Sequence, residues 1–180
     1  MRKICYYSER YRYLGSNKMK KYDSKSINSD MKLYADDILR SENFRSSCKN
    51  VQHGNITVMK HCLKVAHTAM YLNRKYNLNC NERELTRGAL LHDYFLYDWH
   101  IKDRDNFKPL HGFFHPGIAL RNAEKEYDLS ERERDIIKKH MWPMTVVPPK
   151  YKESWVVTAA DKIVSTLESL RLQNRKITGE

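Results

Sequence analysis

Asn81 to Asp93 reads NERELTRGALLHD. Glu82 and Glu84 fall where the first turn of a helix would lie, and the positive end of a helix dipole favours carboxylates there. Leu85, Ala89 and His92 follow at spacings of four and three, the period of one helix face. The spacing predicts a helix that begins near Asn81 and ends at or soon after Asp93. Its apolar face finishes on a histidine and an aspartate. These two residues are adjacent, about 100° apart on a helix, so both reach one site only from the same edge of the face, as at a helix end.

The same period recurs on both sides. Val58, His61, Val65, Ala69 and Leu72 predict a core-facing helix over about 56–76. Pro116 suits the first turn of a helix running to about Tyr127, which puts His115 at its start and His111 in the loop before it. Ser130-Glu131-Arg132-Glu133 matches a capping box, so a short helix is expected from Glu131 to about Met141, ended by Pro143, with Ile136, Ile137 and His140 on one face. Beyond Pro148-Pro149 a long helix over about Glu153–Leu172 would turn Val157, Ala160, Asp161, Val164 and Leu167 inward. Near the start, Ser29-Asp30 offers an N-cap for a helix to about Leu39 carrying Met31, Leu33, Tyr34 and Ile38. A polar loop then runs to Gly54. The aromatic segment from Tyr94 to His100 leads into a charged loop, Lys102 to Lys108, expected on the surface. No strand pair or internal repeat stands out, and the expected fold is an all-α, single-domain helical bundle.

Length and composition agree. A chain of 180 residues buries one sizeable core; the expected division is a basic, poorly ordered arm at 1–26, a helical domain at 27–174 and a tail at 175–180, with Met19 as well as Met1 a possible start. No apolar run approaches the roughly 18 residues of a membrane span, and no apolar stretch follows the basic N-terminus as in a secretory signal. A cytoplasmic location is the expectation. Cys5, Cys48, Cys62 and Cys80 form no C-x-x-C pair and read as reduced thiols, Cys62 as a buried small side chain. The formal net charge is +11, and residues 1–26 hold eight Lys/Arg against two Asp/Glu. Such a field favours anionic ligands without distinguishing a small phosphate from a polymer.

Each histidine alone has a plain reading as a satisfied core residue. Asp161 does not, because a carboxylate on an inward face costs several kcal/mol unless a cation or good donors meet it. His61, His92, His115 and His140 fall on or beside apolar faces of four successive helices, and Asp161 on a fifth. A bundle brings inward positions of separate helices to one depth, as in dimetal centres of helical proteins. With Asp93 there are four imidazoles and two carboxylates, enough for two ions. Asp93, with two oxygens, is the natural bridge. Imidazole and carboxylate together suit iron, manganese or zinc better than calcium or magnesium, with iron and manganese ranked first.

The series His61, His92-Asp93, His115, His140 and Asp161 resembles the H…HD…H…H…D signature of the HD superfamily of metal-dependent phosphohydrolases, over about residues 50–170. LLHD at Leu90–Asp93, HPGIA at His115–Ala119 and ADKI at Ala160–Ile163 are similar to the family's usual contexts. The resemblance is nearest to dinuclear members, including bacterial dinucleoside-tetraphosphate hydrolases. It implies a helical hydrolase that cleaves a phosphoester or phosphoanhydride of a small, nucleotide-like substrate. Two ions about 3.5–4 Å apart would bridge a water and lower its pKa from 15.7 toward about 7, and the resulting hydroxide would attack phosphorus. His111 is the candidate leaving-group acid, and Lys162 the candidate cation for phosphate oxygens. Two features depart from the pattern. Many members carry lysine three residues after the aspartate, where this chain has Leu96, and trinuclear members carry His-His where it has His140-Met141. The segments Tyr97–His100 and His140–Pro143 resemble those of a bacterial subgroup, with open roles. His53 and His100 read as loop residues flanking a pocket mouth, and His67 as structural or exposed. Rival readings are a di-iron oxygenase on the same ligands and a non-catalytic nucleotide- or RNA-binding protein working through the basic arm, which ranks behind the small-substrate reading. Oligomeric state and substrate identity stay open.

Overall fold

The computed structural model describes residues 24–53, 56–94 and 111–178. Within them the helical periods become seven α-helices: α1 (Ser24–Arg40), α2 (Glu42–Ser46), α3 (Val58–Lys75), α4 (Glu82–Leu91), α5 (His111–Glu126), α6 (Glu131–Lys139) and α7 (Lys152–Thr178). The architecture is the all-α bundle that the spacings predict. None of these helices is long and apolar enough to cross a membrane.

The helix ends follow from their caps. Asn81 accepts from the backbone N–H groups of Arg83 and Glu84 and starts α4, while Thr57 accepts from Lys60 N and starts α3. Ser130 and Glu133 form the capping box of α6 in both directions. Such caps satisfy donors that a helix start leaves without partners.

Several boundaries move. Helix α1 begins at Ser24, not after Ser29-Asp30, because Ile27 extends the buried stripe of Met31, Ala35 and Ile38, and Asp30 is engaged by Arg74 at 2.8 Å. Leu33 lies off that stripe and is exposed. The segment read as a polar loop to Gly54 contains α2, where Ser41 caps Phe44 N and Phe44 is buried. A 3-10 turn over Ser47–Lys49 and an antiparallel pair, β1 (Val51–His53) with β2 (Ile56–Thr57), complete it. Helix α5 starts at His111, five residues before Pro116, since a proline in the second turn removes only one backbone bond. His111 is thus helical, not in a loop. Helix α6 stops at Lys139 with His140 as its C-cap, and α7 continues through Thr178. Residues 1–23 of the basic arm and residues 95–110, with Leu96, His100 and the charged loop, lie outside the described residues.

Packing brings the helix ends together. Helix α3 packs on α4 and α7, and α6 packs on α4, α5 and α7. The α4–α6 approach is close because of Gly88: a Cβ there would meet Ile136 Cδ1 at 2.5 Å. Arg87 on α4 binds Glu133 on α6 at 2.9 Å and Asp37 on α1 at 2.6 Å. Asp135 on α6 accepts from Lys150 N, Tyr151 N and Ser154 Oγ, which ties the start of α7 to α6. The ends of α4 and α6 and the middle of α7 are thereby held around one point.

Candidate metal centre

The six residues expected at the site come from five helices or their caps and converge in the interior. His61 stands on α3, His92 is the C-cap of α4 with Asp93 next to it, His115 lies on α5, His140 caps α6 and Asp161 lies on α7. All six are buried, and His61, His92 and His140 expose nothing. The helix of α4 ends at Leu91 and the chain turns, with Tyr94 N donating to Leu91 O. That turn lets adjacent His92 and Asp93 face one point.

Asp93 divides the cluster. Its Oδ2 lies 3.4 Å from His92 Nε2 and 3.8 Å from His61 Nε2. Its Oδ1 lies 3.2 Å from His115 Nε2 and 3.6 Å from His140 Nε2. Two groups result, His61-His92-Asp93 and Asp93-His115-His140, each with one ligand atom per residue within 4.8 Å of the others. Asp161 joins the first, its Oδ1 3.1 Å from His61 Nε2 and 3.9 Å from His92 Nε2.

The donor chemistry fits metal ions. His92 Nδ1 donates to Ala89 O at 2.7 Å and His140 Nδ1 donates to Ile137 O at 2.9 Å. A carbonyl only accepts, so both rings carry their proton on Nδ1 and turn Nε2 inward. His92 Nε2 is buried and faces Asp93 Oδ2 at 3.4 Å, where a cation could take the place of a proton between them. His115 Nε2 and His140 Nε2 approach to 2.9 Å.

Electrostatics point the same way. Burial works against charge on His61, but Asp161 and Glu168 outweigh it and raise its pKa to about 10. His92 is likewise raised despite burial, by Asp93. The carboxyls of Asp93 and Asp161 are held well below their ordinary range, against burial, by the imidazoles around them. Burial lowers His140 to about 3, helped by His92 and His115, so its ring is neutral as a ligand must be. Buried carboxylates demand positive charge, which protons supply here and a divalent cation supplies better.

The other residues singled out in the sequence take the following places. Lys162 follows Asp161 but is exposed, off the buried stripe of Val157, Ala160, Asp161, Val164 and Glu168. His111 lies four residues before His115 on α5, so the two positions share a face. His67 is buried, in line with the structural one of its two readings, and its pKa is lowered by burial. Cys62, beside His61, is a buried free thiol, and His53 lies on β1.

Two contributors escape the hydrophobic pattern. Glu168 Oε2 accepts from His61 Nδ1 at 3.1 Å, and Ser165 Oγ donates to Asp161 Oδ1 at 3.1 Å. Leu167, expected inward, is 41% exposed, while Glu168 is only 4% exposed. The spacing of three, then four, from Asp161 through Val164 to Glu168 is the signal that marks it.

A family model described as HD domain matches residues 58–165, from the first residue of α3 into α7. No curated protein and no solved structure matches the chain.

Proposed function

The chain belongs to the HD domain family, and from that premise we propose that it is a dinuclear metal-dependent phosphohydrolase acting on a phosphoester or phosphoanhydride of a small, nucleotide-like substrate. The observation that carries this reading is the division of Asp93 between two histidine pairs. His61, His92 and Asp161 would hold one divalent transition-metal ion and His115 and His140 the other, with Asp93 shared. Iron or manganese is the proposed metal, and zinc has the same donor preference. When bound, such ions polarise phosphoryl oxygens and make water nucleophilic at neutral pH.

The chain's own residues supply the rest. The Nδ1 bonds to Ala89 O and Ile137 O fix two ring orientations in advance, which lowers the reorganisation required during reaction. Burial of all six side chains strengthens every charge interaction in the site. Water would add to phosphorus as the bond to the leaving oxygen breaks; His111 would donate its proton to that oxygen, and the proton that the water loses, passed through solvent, would restore His111. The chain's net charge of +11 favours a polyanionic substrate, and a cytoplasmic setting suits a nucleotide-like one.

A phosphatase screen over nucleotides, dinucleotides and simple phosphomonoesters tests the proposal. Metal-loaded protein is expected to hydrolyse at least one class, to stop on chelation and to recover with manganese or iron(II). His111→Ala should slow that turnover by about 10²–10⁴-fold, the range for loss of a general acid, with metal content unchanged. Absence of hydrolysis across the screen by protein carrying its full metal complement would contradict the assignment.

A further inference from the structure

We propose that Glu168 is a positioning residue for the metal centre, holding His61 through its outer ring nitrogen so that Nε2 faces the ion. The inference rests on the metal-binding reading above. Glu168 lies beyond the stretch matched to the family, which ends at residue 165.

Glu168 sits on α7 two turns after Asp161, so both carboxylates lie on the face that packs against α3. Between them they grip one imidazole: Asp161 Oδ1 is 3.1 Å from Nε2 and Glu168 Oε2 is 3.1 Å from Nδ1. Nε2 is also the nitrogen that approaches Asp93. With a cation at Nε2, the one remaining ring proton is on Nδ1 and is donated to Glu168. A carboxylate in that place orients the ring and makes the opposite nitrogen a better donor to a metal. His92 and His140 use backbone carbonyls for the same purpose; His61 alone of these three uses a charged partner.

The second oxygen of Glu168 explains how the carboxylate stays ionised while buried. Oε1 is 2.7 Å from Lys64 Nζ, one turn along α3 from His61. The ion pair offsets the cost of taking the carboxylate out of water. It also offers a competing explanation, in which Glu168 only staples α7 to α3. A staple would affect folding, whereas a positioning residue affects affinity for metal.

The test is a chelator competition titration of metal-stripped full-length protein with Mn²⁺, comparing wild type, Glu168→Gln and Glu168→Ala. Thermal unfolding of each metal-free protein is measured alongside. The glutamine variant keeps the size and one acceptor, which guards against a variant that fails to fold. Glu168→Gln should bind one of the two ions about 10-fold more weakly and Glu168→Ala about 10–100-fold more weakly, the range seen when such outer partners are lost. The ion held by His115 and His140 should keep its affinity. Wild-type affinity for both ions in the two variants would overturn the inference, whatever their melting temperatures. If wild-type protein itself bound no Mn²⁺, the metal reading would fall and the inference with it.

Discussion

Asp93→Ala is expected to lose most of both metal ions and to hydrolyse substrate at a rate lower by about 10³-fold or more. The reason is specific to this position. Asp93 Oδ2 lies with His61 and His92, and Oδ1 with His115 and His140, so one substitution removes a ligand from each ion. Several kcal/mol of transition-state stabilisation by bound ions corresponds to a rate factor of that order. The helical fold should persist, because the core around the site is apolar and continuous from α3 to α7, and imidazoles deprived of their counter-charge can release a proton. Metal analysis, turnover and far-UV circular dichroism on the same preparation check this. Asp93→Asn keeps the shape and should show the same loss. Full metal content and full rate in either variant would exclude a shared carboxylate.

The second large effect is selective. His140→Ala should lose one ion and keep the other, because His140 Nε2 belongs with His115 and Asp93 Oδ1 and not with His61. His61→Ala should lose the complementary ion, and turnover should collapse in both. The ring of His140, fixed through Ile137 O, would be a preorganised ligand for that ion. His67→Ala is the control, since His67 is buried on α3 but outside the cluster. It should leave the metal content unchanged. If His140→Ala retained both ions, the second group would be misassigned, and His111, on the same face of α5 as His115, would be the first alternative.

The parts of the fold that depend on local signals were legible in the residues themselves. Ser130 and Glu133 announce the start of α6, and the spacing of Val58, His61, Val65 and Ala69 announces the inward face of α3, because caps and helical period act over a single turn or two. His61, His92, His140 and Asp161 are legible for the same reason, as polar breaks in or beside apolar stripes, while Asp93 and His115 are read from helix ends and from the ordered signature that the whole series resembles. What depends on tertiary partners was not. Phe44 makes a short helix out of an apparent loop by inserting into the core, and Ile27 extends α1 backward past a plausible cap. Glu168 is hidden by the logic that found Asp161: Leu167 completes the apolar pattern better, and only Lys64 and His61, about a hundred residues away, make it favourable to bury the glutamate in place of the leucine. The start of α5 is not legible from Pro116, which suits a first turn but also sits in the second, where one absent N–H leaves the helix intact.

The central claim is that the cluster is a two-ion site organised around Asp93, and the most direct measurement is the metal content of full-length wild-type protein purified without chelator and then reconstituted anaerobically with iron(II) or manganese. The expected result is close to two ions per chain, removed together by a strong chelator and restored on readdition. A content that stays near zero, or that saturates at one ion per chain in the presence of excess metal, would contradict it.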